Sequence, residues 1–93
     1  MTKGDIIDIL ADGTGLTKIE TGAVVDGFIA TVRYALEKEE SVDIRGFGSF
    51  RVVTRKARKA RNPKTGELIT IPERKVPVFR PATDLKKVIN EFH

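Results

Sequence analysis

Apolar residues change period along the chain, and each change marks an element. Ile6, Ile7, Ile9 and Leu10 fall at near-helical spacing between Asp5, Asp8 and Asp12, which predicts a short amphipathic helix. Thr2 stands three residues before Asp5 as in a capping box, and Gly13-Thr14-Gly15 ends the segment. A second capping box, Thr17-Lys18-Ile19-Glu20, opens a longer helix expected to run to about Glu39. Its apolar positions (Ile19, Ala23, Val24, Val25, Phe28, Ile29, Val32, Ala35, Leu36) cover more than one stripe. A helix apolar on most faces must be buried from several sides.

After Glu40 the period becomes two. Val42 and Ile44 alternate with Asp43 and Arg45, Gly46-Phe47-Gly48 makes a tight turn, and Phe50 and Val52 continue the alternation against Ser49 and Arg51. This predicts a hairpin with one face on a core. Beyond Val53 the apolar face is lost: from Thr54 to Arg61 only Ala57 and Ala60 interrupt Arg55, Lys56, Arg58, Lys59 and Arg61. Asn62-Pro63-Lys64-Thr65-Gly66 is a turn by composition. The chain returns through Ile69 and Ile71, and Val76, Val78 and Phe79 regain core character around Pro77. A proline cannot donate to a ladder, so Pro72 and Pro77 predict an edge strand in a protruding ribbon. Two strands without a third are marginal in water, which makes 54–75 a flexible arm when unbound. A strand of about ten residues spans about 34 Å, enough to leave the body. Arg80-Pro81-Ala82-Thr83 then starts a last helix with Leu85, Val88, Ile89 and Phe92 on its apolar side.

The chain has 93 residues, room for one small domain that buries only roughly 60–65% of its unfolded surface. That shortfall and the all-round apolar second helix together imply a partner subunit. There is no Cys, and the one His is the last residue, His93. This excludes disulfides and Cys-ligated metals, and leaves no basis for His acid–base chemistry or a multi-His metal site. Ser41 and Ser49 have no base near them in sequence, so no catalytic residues are assigned. No targeting segment appears, nor any apolar run near the roughly 20 residues of a membrane span; the expectation is an intracellular protein. No cofactor, metal or small-molecule substrate is expected.

The net charge of +4 conceals a sharp division. Residues 1–50 carry 5 basic and 9 acidic residues, whereas residues 51–93 carry 12 and 4. Between Arg51 and Lys64 there are 7 basic residues and no acid. A run of this kind is either a solvated face or a contact for a polyanion read by the second half alone. The helix–turn–helix at 3–39 does not suit a DNA-reading role. Its second helix sets Lys18, Arg33 and Lys38 against Glu20, Asp26, Glu37 and Glu39, and would bring negative charge to phosphates. Gly46-Phe47-Gly48 reads as a turn before a phosphate cradle, and the flanking Phe residues as core. Pro63 is either an ordinary turn proline or an apolar wedge of the kind that enters base steps. An RNA-binding module would need aromatics to stack single-stranded bases, and none lies between Phe50 and Phe79.

Three segments together resemble a known signature: Gly46-Phe47-Gly48-Ser49-Phe50; then Arg58-Lys59-Ala60-Arg61-Asn62-Pro63-Lys64-Thr65-Gly66-Glu67; then Val76-Pro77-Val78-Phe79-Arg80-Pro81. They resemble the bacterial HU and integration host factor family, without evident gap from Lys3 to about Asn90, and the wedge-and-bend mechanism is known for that family. The resemblance implies an α+β fold: an intertwined dimer with a helical base, a β-saddle and two protruding β-ribbon arms. In one domain it would divide 1–40 as helical dimerisation body, 41–53 and 76–81 as saddle strands, 54–75 as arm and 82–93 as C-terminal helix. It implies a non-enzymatic, histone-like protein that binds double-stranded DNA through the minor groove, bends it and compacts the nucleoid of the bacterial cytoplasm, with low sequence specificity. The alternative is an integration-host-factor-like subunit at defined sites, as a homodimer or paired with a paralogue.

The resemblance also assigns roles. Pro63 would intercalate, and Arg55, Lys56, Arg58, Lys59, Arg61, Asn62 and Lys64 would line the arm's DNA contact. Lys3, Gly46, Gly48, Ser49, Lys75, Arg80 and Lys86 are the candidates for phosphate contacts on the body. Phe28, Val32, Leu36, Phe47, Phe50 and Phe79 would form the dimer core. Ala82 and Thr83 stand where relatives carry Gly or Ser and then often Lys, which removes one lateral charge; Val53 replaces a residue commonly polar or charged.

Overall fold

The computed structural model describes residues 1–92; His93, and the side chain of Phe92 expected on the last helix, lie outside the described residues. The elements in chain order are α1 (Lys3–Thr14), α2 (Lys18–Glu37), β1 (Val42–Ile44), β2 (Gly48–Arg55), β3 (Arg58–Arg61), β4 (Leu68–Ile71), β5 (Arg74–Pro81) and α3 (Thr83–Phe92). They fall into two compact units, Met1–Tyr34 and Ala35–His93.

In the first unit both expected capping boxes close. Thr2 Oγ1 accepts from the Asp5 N–H at 3.3 Å while Asp5 Oδ2 accepts from the Thr2 N–H at 2.8 Å. Thr17 and Glu20 repeat the exchange at 3.1 Å each way. The bonds from the Thr17 side chain, and then from its backbone, hold the Glu20 carboxyl below its usual value. Gly15 ends α1 at φ 77, its N–H on the Ala11 carbonyl. Lys3–Asp26 at 2.8 Å and Lys18–Asp8 at 3.3 Å tie the two helices. Ala11 is the buried apolar residue, and buried Thr21 donates its hydroxyl to the Thr17 carbonyl.

In the second unit α2 stops at Glu37, two residues before the expected end. The Glu40 N–H reaches back to the Ala35 carbonyl and the Glu39 N–H to that of Leu36, both at 2.9 Å. These are the bonds of a Schellman stop, and they require a left-handed residue at Glu39, which has φ 60. After β1 the Phe47 N–H closes onto the Ile44 carbonyl at 3.0 Å, with Gly46 at φ 80. That positive φ is why glycine stands there. β2 is central in an antiparallel sheet ordered β1–β2–β5, paired from Gly48↔Pro81 through Phe50↔Phe79 to Arg55↔Arg74. The Phe79 ring packs between Phe47 and Phe50, with centroids 5.1 and 5.0 Å away. Gly48 is buried beneath it: a Cβ there would lie 2.5 Å from the Arg80 carbonyl oxygen and 2.6 Å from the ring.

Arg80 and Pro81 belong to β5, within the expected 76–81 strand, and the last helix, expected from 82, starts at Thr83. Pro77 lies not in the ribbon but on β5 opposite Val52, an edge strand where a missing donor is tolerated, while Pro72 falls in the break between β4 and β5. β3 and β4 form their own two-stranded sheet.

Among the described residues no large side chain is fully buried. Ile19 is 87% exposed, Val24 63% and Phe28 50%; Phe47 and Phe79 are exposed too, and Val32, Leu36 and Phe50 are half-buried. Exposed apolar surface on this scale marks an interaction site. No helix of the described residues is long and apolar enough to cross a membrane.

Candidate nucleic-acid interface

The β3–β4 register sorts the ribbon into two faces. Arg58↔Ile71 and Ala60↔Ile69 share one side, Lys59↔Thr70 and Arg61↔Leu68 the other, because directly opposed residues of an antiparallel pair point the same way. Each face thus combines cations with apolar side chains, and Leu68 and Ile69 are exposed. Arg58 on one face and Lys59 with Arg61 on the other put charge on both.

The tip is closed by its own hydrogen bonds. The Asn62 N–H donates to the Glu67 carbonyl and the Gly66 N–H to the Asn62 carbonyl, both at 2.8 Å. Gly66 is left-handed, at φ 73. Asn62 Oδ1 accepts from the Lys64 N–H at 2.9 Å across Pro63, an Asx turn. Arg61 Nη1 donates to the Gly66 carbonyl at 2.8 Å. Pro63 and Lys64 stand exposed at the end.

At the root of the ribbon the two sheets part, with Lys56-Ala57 on one strand and Pro72-Glu73 on the other left unpaired. Arg55, Lys56, Arg58 and Arg74 line an open concavity of about 380 Å³ there. No ion pair engages any of these four among the described residues. Arg55 and Arg74 sit directly opposite on the last rung, an unfavourable pairing of like charges that an anion between them would relieve. Arg74 was absent from the sequence-based set. Its signal is the strand register, since it lies 19 positions from its partner, and no local pattern links the two.

A second open concavity, about 430 Å³, brings together four of the expected body residues, Gly46, Gly48, Ser49 and Arg80, and adds Arg45 and Arg51. Arg51 is partly committed, with Nε on Ser49 Oγ at 3.0 Å and Nη2 3.9 Å from Asp43. Lys75 is held by Glu39 at 2.8 Å. Lys3 belongs to the first unit, held by Asp26, and Lys86 lies exposed in the first turn of α3. Among the described residues no group of three or more His, Cys, Asp or Glu gathers as a metal site.

A three-stranded antiparallel sheet followed by a separate two-stranded ribbon, cationic on both faces and tipped by proline, makes an α+β protein suited to a polyanion. The chain belongs to the bacterial DNA-binding protein family, that of HU and integration host factor, whose pattern matches residues 1–90. It is 44% identical over 89 residues to the DNA-binding protein HU of Staphylococcus aureus, covering 96% of this chain and 99% of that one. It is 40% identical over 93 residues to integration host factor subunit alpha of Chromobacterium violaceum, covering 100% and 93%. The Anabaena HU–DNA cocrystal structure matches with a TM-score of 0.88 at 36% identity, over 96% of this chain and 97% of that one. HU from Thermotoga maritima matches at 0.69 and 30% identity, over 96% and 98%.

Proposed function

We propose that this chain is a homodimeric architectural protein of the bacterial nucleoid that grips duplex DNA from the minor-groove side and kinks it. The observation that carries this reading is the ribbon, whose two faces hold Arg58 and Lys59 with Arg61 and whose self-bonded tip presents Pro63. Cations along the ribbon neutralise phosphates, and the apolar side chains beside them suit the sugar walls of the groove. The proline ring enters a base step, unstacks it and bends the duplex. The basic concavity at the ribbon root takes backbone phosphates, and the one around Gly46, Arg45 and Arg80 takes those flanking the kink.

Such contacts position the protein without reading bases, so sequence preference comes from how easily a step deforms. Specificity is therefore low. Dimerisation is supported by the apolar surface that one chain leaves open, from Ile19 to Phe28 in the first unit and at Phe47 and Phe79 in the second. A second copy supplies the missing cover. A site-specific role like that of integration host factor has one support, the 40% identity to its alpha subunit over the whole chain.

A mobility-shift comparison of linear, nicked and pre-bent duplexes with an RNA duplex tests the reading. Tighter binding to nicked and pre-bent DNA, with affinity falling steeply as salt rises, is the expected result. Equal affinity for the RNA duplex, or a flat salt dependence, overturns it.

A further inference from the structure

We propose that Asn62 is the positioning residue of the wedge: its side-chain carbonyl fixes the Pro63 ring for insertion, a role distinct from contacting DNA. The proposal rests on the reading of Pro63 as intercalator.

Asn62 is half-buried although it sits in an otherwise exposed tip. Its backbone is held on both sides, the N–H by the Glu67 carbonyl and the carbonyl by the Gly66 N–H. Its side chain then closes a third contact, Oδ1 to the Lys64 N–H at 2.9 Å, and so brackets Pro63 from before and after. Pro63 has no N–H of its own, and its ring fixes φ but not ψ. Rotation about ψ of Pro63 swings the following peptide, and with it Lys64, relative to the ring. The Asx bond to the Lys64 N–H locks that rotation. A wedge must meet the base step in one orientation, because unstacking costs a few kcal/mol and is repaid only if the bent duplex meets the protein. A tip that rotated would keep its charge but bend poorly. The Arg61 bond to the Gly66 carbonyl braces the opposite side of the same loop, which leaves Asn62 as the bracket on the proline itself.

Bend angle is measured by energy transfer across an end-labelled mixed-sequence duplex at saturating protein, together with affinity, for Asn62→Ala, Asn62→Asp and Pro63→Ala. Asn62→Ala loses the acceptor and is expected to bend DNA as weakly as Pro63→Ala, while affinity falls by less than about tenfold. Asn62→Asp keeps an oxygen for the Lys64 N–H and is expected to restore the parent bend. Its added negative charge weakens binding and flattens the salt slope by about one per arm. Parent-like bending by Asn62→Ala, with Pro63→Ala impaired, overturns the positioning role and leaves the wedge intact. Failure of Asn62→Asp to bend also overturns it. Parent-like bending by Pro63→Ala overturns the wedge, and the positioning role with it.

Discussion

Replacing Glu39 separates backbone strain from charge at one residue. Glu39 has φ 60, forced by the bonds that stop α2. For a residue with a Cβ this left-handed conformation costs about 1–2 kcal/mol. Its carboxylate meets Lys75 Nζ at 2.8 Å, but the two side chains are 53% and 59% exposed, so the pair contributes about 0.3 kcal/mol. Strain therefore outweighs the ion pair. Glu39→Ala keeps the strain and loses the pair, and is expected to be less stable than the parent by about 0.3 kcal/mol. Glu39→Gly relieves the strain, though part of the gain is offset by the greater freedom of glycine in the unfolded chain. It is expected to exceed the alanine variant by about 1 kcal/mol. The comparison is made by urea unfolding at one fixed chain concentration, because folding coupled to association depends on concentration. Both variants release Lys75, and in the proposed dimer, where two chains each give up about 0.3 kcal/mol of competition, duplex affinity is expected to rise roughly threefold in both. Equal stability of the two variants would refute the strain argument. Unchanged affinity would remove Lys75 from the phosphate contacts.

Gly48→Ala should destabilise the fold by about 3 kcal/mol, read by urea unfolding, because its Cβ meets the backbone carbonyl of Arg80 and the Phe79 ring; a parent-like midpoint contradicts this packing. Glu20 has its folded pKa lowered, so its capping contribution is present above the unfolded value and is lost as pH falls through the folded one. The gap in stability between parent and Glu20→Gln should accordingly narrow below about pH 4, and a gap independent of pH would count against the capping role. Arg74→Gln should weaken duplex binding uniformly across sequences and reduce the salt slope by about one per arm. A sequence-selective loss would instead make Arg74 a base contact.

What was legible from sequence was local. Both capping boxes, the glycine stop after α1, the Gly46-Phe47-Gly48 turn, the first hairpin and the basic ribbon with its Asn-Pro turn each depend on bonds spanning a few residues, so neighbouring letters specify them. Of the seven body residues that the motif match offered, Gly46, Gly48, Ser49 and Arg80 line one concavity, and Lys3, Lys75 and Lys86 are not among its lining. The end of α2 was misplaced by two residues because Glu37 to Glu39 are compatible with helix and only the Schellman bonds terminate it.

The sequence by itself determined that a basic, proline-tipped arm would leave a body too small to bury its own apolar helix. Tertiary structure decided which charges act together. It set Arg74 against Arg55 and gave Lys75 to Glu39. The physical reason is that strand register and long-range ion pairs join positions far apart in the chain. Those positions meet only where the apolar faces around Phe79 pack, and no local spacing records that meeting.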